Sequence, residues 1–125
     1  MGTFATAINC TDGRVQLPVI EYVRQKHGVD FVDMITEPGP NRILAENGDH
    51  AVIEAIKRRV KISVEKHNSR LVVIVGHHDC AGNPVEEETQ REQTRAAVKL
   101  VESWGLGATV VGLWVTEHWK VRDIG

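Results

Sequence analysis

Residues 71–82 read LVVIVGHHDCAG. Leu71 to Val75 is an unbroken apolar run, mostly β-branched, and Gly76 interrupts it. A short run of that kind, bounded by a turn signal, predicts a strand buried on both faces. Its C-terminal tip carries His77, His78, Asp79 and Cys80. Imidazole and thiol groups at the end of a core strand are candidate metal ligands. Taken alone, H-x-x-C is a common coincidence, and a partly buried thiol beside a surface histidine pair is the better explanation of it. The surrounding chain separates the two readings.

Upstream, Phe4 to Cys10 (FATAINC) predicts a first strand, stopped by Thr11, Asp12 and Gly13. Leu17, Ile20 and Val23 recur at helical spacing, Pro18 is tolerated in a first turn, and His27-Gly28 reads as a helix end. Phe31 to Ile35 predicts a second strand, and Glu37 to Asn41, with two prolines around a glycine, reads as a loop. Ile53, Ile56, Val60 and Val64 mark one face of a long helix from Asp49 to His67, with Lys57, Arg58 and Lys61 on the other side. Beyond Cys80, Asn83-Pro84-Val85-Glu86 reads as the N-cap, first residue and acidic third residue of a helix running to Trp104. Glu86 to Arg95 contains no apolar residue, so that half is expected in solvent or against a polar cleft, not in the core. Ala108 to Val115 predicts a fourth strand, and the polar tail from Thr116 to Gly125 reads as an edge strand or a partner contact.

This order predicts a three-layer α/β fold in a single domain over residues 1–125. Its mostly parallel four-stranded sheet is expected in the order 2-1-3-4, with helices on both faces. Strands 1 and 3 are then neighbours whose following helices leave to opposite faces, and the crevice at their C-terminal ends is a switch point. Cys10 ends the first strand, while His77 and Cys80 follow the third, so three soft ligands converge there. Two thiolates and an imidazole suit Zn²⁺ in a tetrahedron. The fourth position falls to water or to a nearby carboxylate. Asp12 lies close to Cys10, and Arg14 follows it. A guanidinium holds a carboxylate by two parallel hydrogen bonds. If Arg14 holds Asp12, the metal is free to carry water; if Asp12 turns onto the metal, the site is closed.

Composition narrows the function. The chain has 125 residues, 42% hydrophobic and 26% charged, with a formal net charge of -2, so it carries no nucleic-acid or anionic-membrane footprint. No apolar run approaches the ~20 residues that span a bilayer. The stretch MGTFATAINC lacks a basic start and a long apolar segment, which predicts a cytoplasmic rather than a secreted protein. The two cysteines are therefore expected as ligands or buried thiols, not as a disulfide. No nucleotide-binding glycine motif is present. Cys10 as a nucleophile with Arg14 lacks the Gly-rich anion loop of a phosphatase. Asp79 reads as an acceptor orienting an imidazole or as a solvated turn residue, and His78 as a proton shuttle or a surface group. His27, His50 and His67 are expected at the surface and Trp114 in the core. His118 with Trp119 is read as a candidate interface.

Cys10-Thr11-Asp12-Gly13-Arg14 has the pattern C-x-D-x-R, and His77 to Cys80 the pattern H-x-x-C. The pair, in this order and with this strand–helix layout over nearly the whole chain, resembles the β-class carbonic anhydrases. The resemblance implies a zinc enzyme that hydrates carbon dioxide to bicarbonate and assembles as a homodimer or larger homo-oligomer. It implies Cys10, His77 and Cys80 as metal ligands, and Asp12 with Arg14 as the catalytic dyad that governs access to the metal. Backbone near Gly39 and Gly82 would contact substrate. The chain departs from the family in the loop after the second strand, where Gly39 and Asn41 alone can be matched. Ala81 stands where the family has glycine beside the second thiolate, with Gly82 one place later. Two rivals share the fold: the same zinc site acting on carbonyl sulfide or carbon disulfide, and a non-catalytic zinc-binding protein.

Overall fold

Leu71–His77 forms strand β3, with every residue buried, in the computed structural model, which describes residues 2–124. Its neighbours are β1 (Phe4–Cys10) and β4 (Thr109–Val115), flanked in turn by β2 (Phe31–Glu37) and β5 (Val121–Asp123). The sheet order is β2-β1-β3-β4-β5. The first four strands are parallel, and β5 runs antiparallel to β4. The three-layer α/β expectation and the order of the first four strands hold. The sheet has five strands rather than four, because the tail folds back and pairs Val121 with Val115 and Asp123 with Leu113. A three-residue polar strand is too short to show a period in sequence.

Helices cover both faces unequally. Helix α1 (Gln16–His27) lies on one side, where Val19 and Val23 pack with Ala5, Ala7, Val73, Val75, Leu113 and Val115. Helices α2 (Pro40–Glu46), α3 (His50–Lys66) and α4 (Glu87–Ser103) cover the other, where Leu44, Ile56, Val60 and Val101 meet Ile8, Ile35, Val72 and Ile74. Alternate residues of β3 feed the two cores, as the pleat requires. Local signals set the helix ends. Gly28, at φ 67°, closes α1 by donating its N–H to Arg24 O. The Asp49 carboxylate caps α3 by accepting from Val52 N at 3.3 Å.

Two segments differ from expectation. The loop at Glu37–Asn41 is shorter than predicted, because Gly39 turns at φ 59° and Pro40 opens α2 at its first position. A helix of seven residues leaves too little periodicity to be read. Helix α4 begins at Glu87 rather than at Pro84. Asn83, expected as its cap, is buried, and its Nδ2 donates to Asn41 Oδ1 at 3.3 Å and Gln93 Oε1 at 2.7 Å. The first half of α4 is not wholly solvated either. Gln90 and Thr94 are buried and extend the stripe of Ala97 and Val101 along one helix face. Hydrogen bonds make this polar burial tolerable: Asn41 Nδ2 donates to Gln90 Oε1 and Thr94 Oγ1, each at 3.2 Å.

Gly76 lets that network close on the end of β3. A Cβ there would sit 2.9 Å from Asn41 Nδ2, 3.0 Å from Thr94 Oγ1 and 3.1 Å from Gln90 Oε1. The Gly76→Ala variant is therefore expected to lose roughly 1–3 kcal/mol of stability by overpacking. Urea unfolding should show a lower midpoint with an unchanged slope; an unchanged midpoint would contradict this packing account.

Candidate metal centre

Parallel neighbours β1 and β3 end on the same side of the sheet, one at Cys10 and the other at His77. Asp79, at φ 57°, then turns the chain so that Cys80 comes back to the same point. The ligand atoms of Cys10, His77 and Cys80 all lie within 4.8 Å of one another, and all three residues are buried. The two sulfurs are 3.8 Å apart. Zn–S bonds of about 2.3 Å in a tetrahedron require an S–S edge of about 3.8 Å. The pair of thiols is spaced for such an ion.

His77 is fixed through both its backbone and its ring. Its N–H donates to Gln90 Oε1 at 3.2 Å, and its carbonyl accepts from Gln90 Nε2 at 2.8 Å. The ring Nδ1 lies 2.7 Å from His78 O. A carbonyl only accepts, so the proton belongs on Nδ1 and the lone pair on Nε2. Nε2 is buried without a hydrogen-bond partner. A buried, unpaired imidazole nitrogen beside two thiols is what a metal ligand looks like without its metal. The orienting acceptor is thus the His78 carbonyl and not the Asp79 carboxylate.

Charge at the trio points the same way. Cys10 is held well below the usual thiol range, first by a hydrogen bond from Cys80, against the opposing effect of burial. His77 and the backbone N–H groups of Gly39 and Asp12 add to it. Cys80 is pushed up, first by that same bond and then by burial. Burial opposes the His77 imidazolium, yet the neighbouring Cys10 and the His78 carbonyl outweigh it, so the net shift is upward. Cys10 is thus drawn toward the thiolate and His77 toward the imidazolium, and a bound cation would take the place of the proton between them. This donor set fits Zn²⁺.

Beside the trio, Asp12 Oδ1 accepts from Arg14 N at 2.9 Å and Nε at 3.0 Å, and Oδ2 accepts from Nη2 at 2.6 Å. The Arg14 side chain lowers the Asp12 pKa to about 2 from its usual 3.8, with burial opposing. Gln16 Nε2 donates to the carbonyls of Cys10 and Asp12 at 2.7 and 2.8 Å, which fixes the turn joining thiol to carboxylate. Asp12 therefore rests on Arg14, the first of the two arrangements set out from sequence.

Gly39 and Gly82 meet backbone to backbone. A Cβ on Gly39 would lie 2.9 Å from Gly82 O, and one on Gly82 would lie 2.6 Å from Pro38 C. Their N–H groups lower the pKa of Cys10 and Cys80 respectively. Sequence reasoning missed Gln90 and Thr94 as site residues, and it did not place Asn41 and Asn83 in the network they share. A signal existed for two of them: Gln90 and Thr94 fall on the helical stripe that continues as Ala97 and Val101.

Fold and site together define an α/β protein with a candidate Cys–His–Cys metal centre at the switch point of a parallel sheet. The chain belongs to the family described as "Putative carbonic anhydrase", whose sequence profile matches residues 1–125. No curated protein matches it in sequence. Its fold is similar to that of a carbonic anhydrase from Glaciozyma antarctica, at 17% identity and TM-score 0.63, covering 96% of this chain and 81% of that one. A carbonic anhydrase from Streptococcus mutans is similar at 18% identity and TM-score 0.63, with the same coverage of 96% and 81%. A carbon disulfide hydrolase is similar at 11% identity and TM-score 0.62, covering 99% of this chain and 80% of that one.

Two outcomes follow from these contacts. Replacing Gln90 by Leu leaves His77 N–H and C=O without their partner. Zinc affinity, measured by competition with a chromophoric chelator, should fall about 10–100-fold; unchanged affinity would remove Gln90 from the centre. The depressed Asp12 pKa contributes stability that is present above the unfolded value near 3.8 and is lost as pH falls through about 2. In urea titrations of the metal-free protein, Asp12→Asn should flatten that acid limb, and an identical limb in both proteins would contradict the ion pair.

Proposed function

We propose that this chain is a zinc enzyme that hydrates carbon dioxide to bicarbonate. The observation that carries this reading is the buried, unpartnered His77 Nε2 gathered with two thiols beside an arginine-anchored carboxylate. Cys10, His77 and Cys80 are the residues that would hold the ion. Zn²⁺, when bound, supplies Lewis-acid chemistry that lowers the pKa of water toward neutrality.

The chain's own groups do the rest. Asp12 is the hydrogen-bond acceptor that orients the attacking water and directs its lone pair at the carbon. Arg14 keeps Asp12 ionised and turned away from the ligand position. The Asp12 and Arg14 side chains retain 18% and 46% of their exposure, against nearly complete burial of the ligands. Carbon dioxide and the released proton therefore exchange with solvent on the dyad's side. The N–H groups of Gly39 and Gly82 stabilise the thiolates, and the loops that carry them form the nearby wall against the small substrate. We place the protein in the cytoplasm, where reduced cysteines persist, as a homodimer or larger assembly. Exposed Leu17 and Phe31 are apolar surface available to a second copy.

Stopped-flow carbon dioxide hydration by zinc-loaded protein, between about pH 6 and pH 9, tests the reading. Activity should rise with pH. Arg14→Ala should lower turnover by at least about tenfold while zinc content holds, because it frees Asp12. Cys10→Ala should lose most of the zinc itself. Similarity to the carbon disulfide hydrolase fold makes carbon disulfide and carbonyl sulfide the second substrates to assay. Activity on these alone would replace the carbon dioxide reading. Zinc binding without turnover of any of the three would leave a non-catalytic metal protein.

A further inference from the structure

Arg14 is held from more directions than Asp12 alone requires. Its Nη2 also donates to Asp79 O at 3.1 Å, and its Nη1 to Asp79 Oδ2 at 3.3 Å. Its Cζ lies over the ring of Trp119, 4.6 Å from the centroid. The guanidinium thus has its edges on two aspartates and a face on an indole.

The backbone conformations mark this contact as built. Among the described residues, four that are not glycine have positive φ: Asn47, Asn68, Asp79 and Trp119. Asparagine adopts that region readily, and both asparagines follow helix ends. Tryptophan does not; φ 60° is disfavoured for a bulky side chain and persists where surrounding contacts over-determine it. Those contacts are present. Thr116 N donates to Lys120 O at 2.8 Å, and Trp119 N to Thr116 O at 2.9 Å. Thr116 Oγ1 accepts from His118 N and Lys120 N, each at 3.2 Å. The indole packs against the core on the α1 side, and His78 meets it edge-on at 6.5 Å. Aspartate tolerates the region as asparagine does, so Trp119 is the unusual backbone, and it converges with Asp79, from a turn far away in sequence, on one guanidinium.

We propose that Trp119 is a positioning residue for the Asp12–Arg14 pair. Its indole face, with the Asp79 carbonyl, fixes the guanidinium plane and so fixes the carboxylate beside Cys10, His77 and Cys80. The catalytic consequence rests on the carbon dioxide reading above; the restraint on Arg14 does not.

The restraint is read directly from solvent exchange of the Arg14 Nε–H in ¹⁵N NMR, with or without zinc. In Trp119→Leu this exchange should accelerate about three- to tenfold, the size expected for a lost cation–π contact. Trp119→Phe, which keeps a ring, should stay nearer to wild type. Trp119→Gly relieves the backbone and should accelerate exchange as Leu does, which covers the case in which Leu fails to fold. In zinc-loaded protein, kcat should fall with KM nearly unchanged, and Trp119→Leu should add nothing to Arg14→Ala. Unchanged Nε–H exchange in folded Leu or Gly variants would overturn the proposal, as would a Phe variant no better than Leu. An enzyme inactive on carbon dioxide but showing the exchange pattern would overturn the function and leave the restraint standing.

Discussion

A parallel strand buried on both faces can display polar chemistry only at its ends. In this protein β3 is that strand, and its C-terminal end carries His77 into a position already occupied by the end of β1. The rest of the structure follows from the constraint. The interior residues of β3 must find apolar cover on two sides, which α1 supplies on one face and α2, α3 and α4 on the other. Side chains that would be costly inside are collected where the strands stop. Cys10, His77 and Cys80 meet there because neighbouring parallel strands end together.

Collecting polar groups at a buried strand end creates a second problem. The backbone of β3 needs partners where the sheet ladder finishes. Gln90 answers it by accepting from His77 N–H and donating to His77 C=O, and Asn41 and Thr94 in turn satisfy Gln90 and one another. A polar network of this kind is stable only when nearly all its members are paired. Gly76 is the opening that lets it reach the strand. The same side chains that complete the core's hydrogen bonding therefore also aim the imidazole, so folding and ligand geometry are a single requirement here.

Charge divides the site into two parts with different needs. The trio is buried, with Cys10 drawn toward the thiolate and His77 toward the imidazolium. The Asp12–Arg14 pair is nearer to solvent and already neutralised within itself. A cation in the trio would take the place of the proton that Cys10 and His77 hold between them, while the dyad has no need of one. That separation is why a carboxylate can sit close to the candidate metal centre and remain with its guanidinium.

The four long strands, α1, α3 and the two motifs were legible in the amino-acid sequence. Each rests on short-range physics: unbroken apolar runs, helical spacing, Gly28 and Asp49 at helix ends, and ligand types at strand tips. Helix α2 and strand β5 were too short to carry a period. The polar first half of α4 predicts solvent or a polar cleft, and the burial of Gln90 and Thr94 is not visible in it. Only tertiary structure supplies the partners that make a buried amide acceptable. In the same way, the polar tail from Thr116 reads as an edge strand or a partner contact, and only its return as β5 shows that Trp119 lies over Arg14. Which residues are candidate ligands was determined by the sequence alone, since donor type and strand position are local properties. How those residues are held was decided by the fold, since hydrogen bonds and ring contacts between distant segments exist only once the sheet has brought them together.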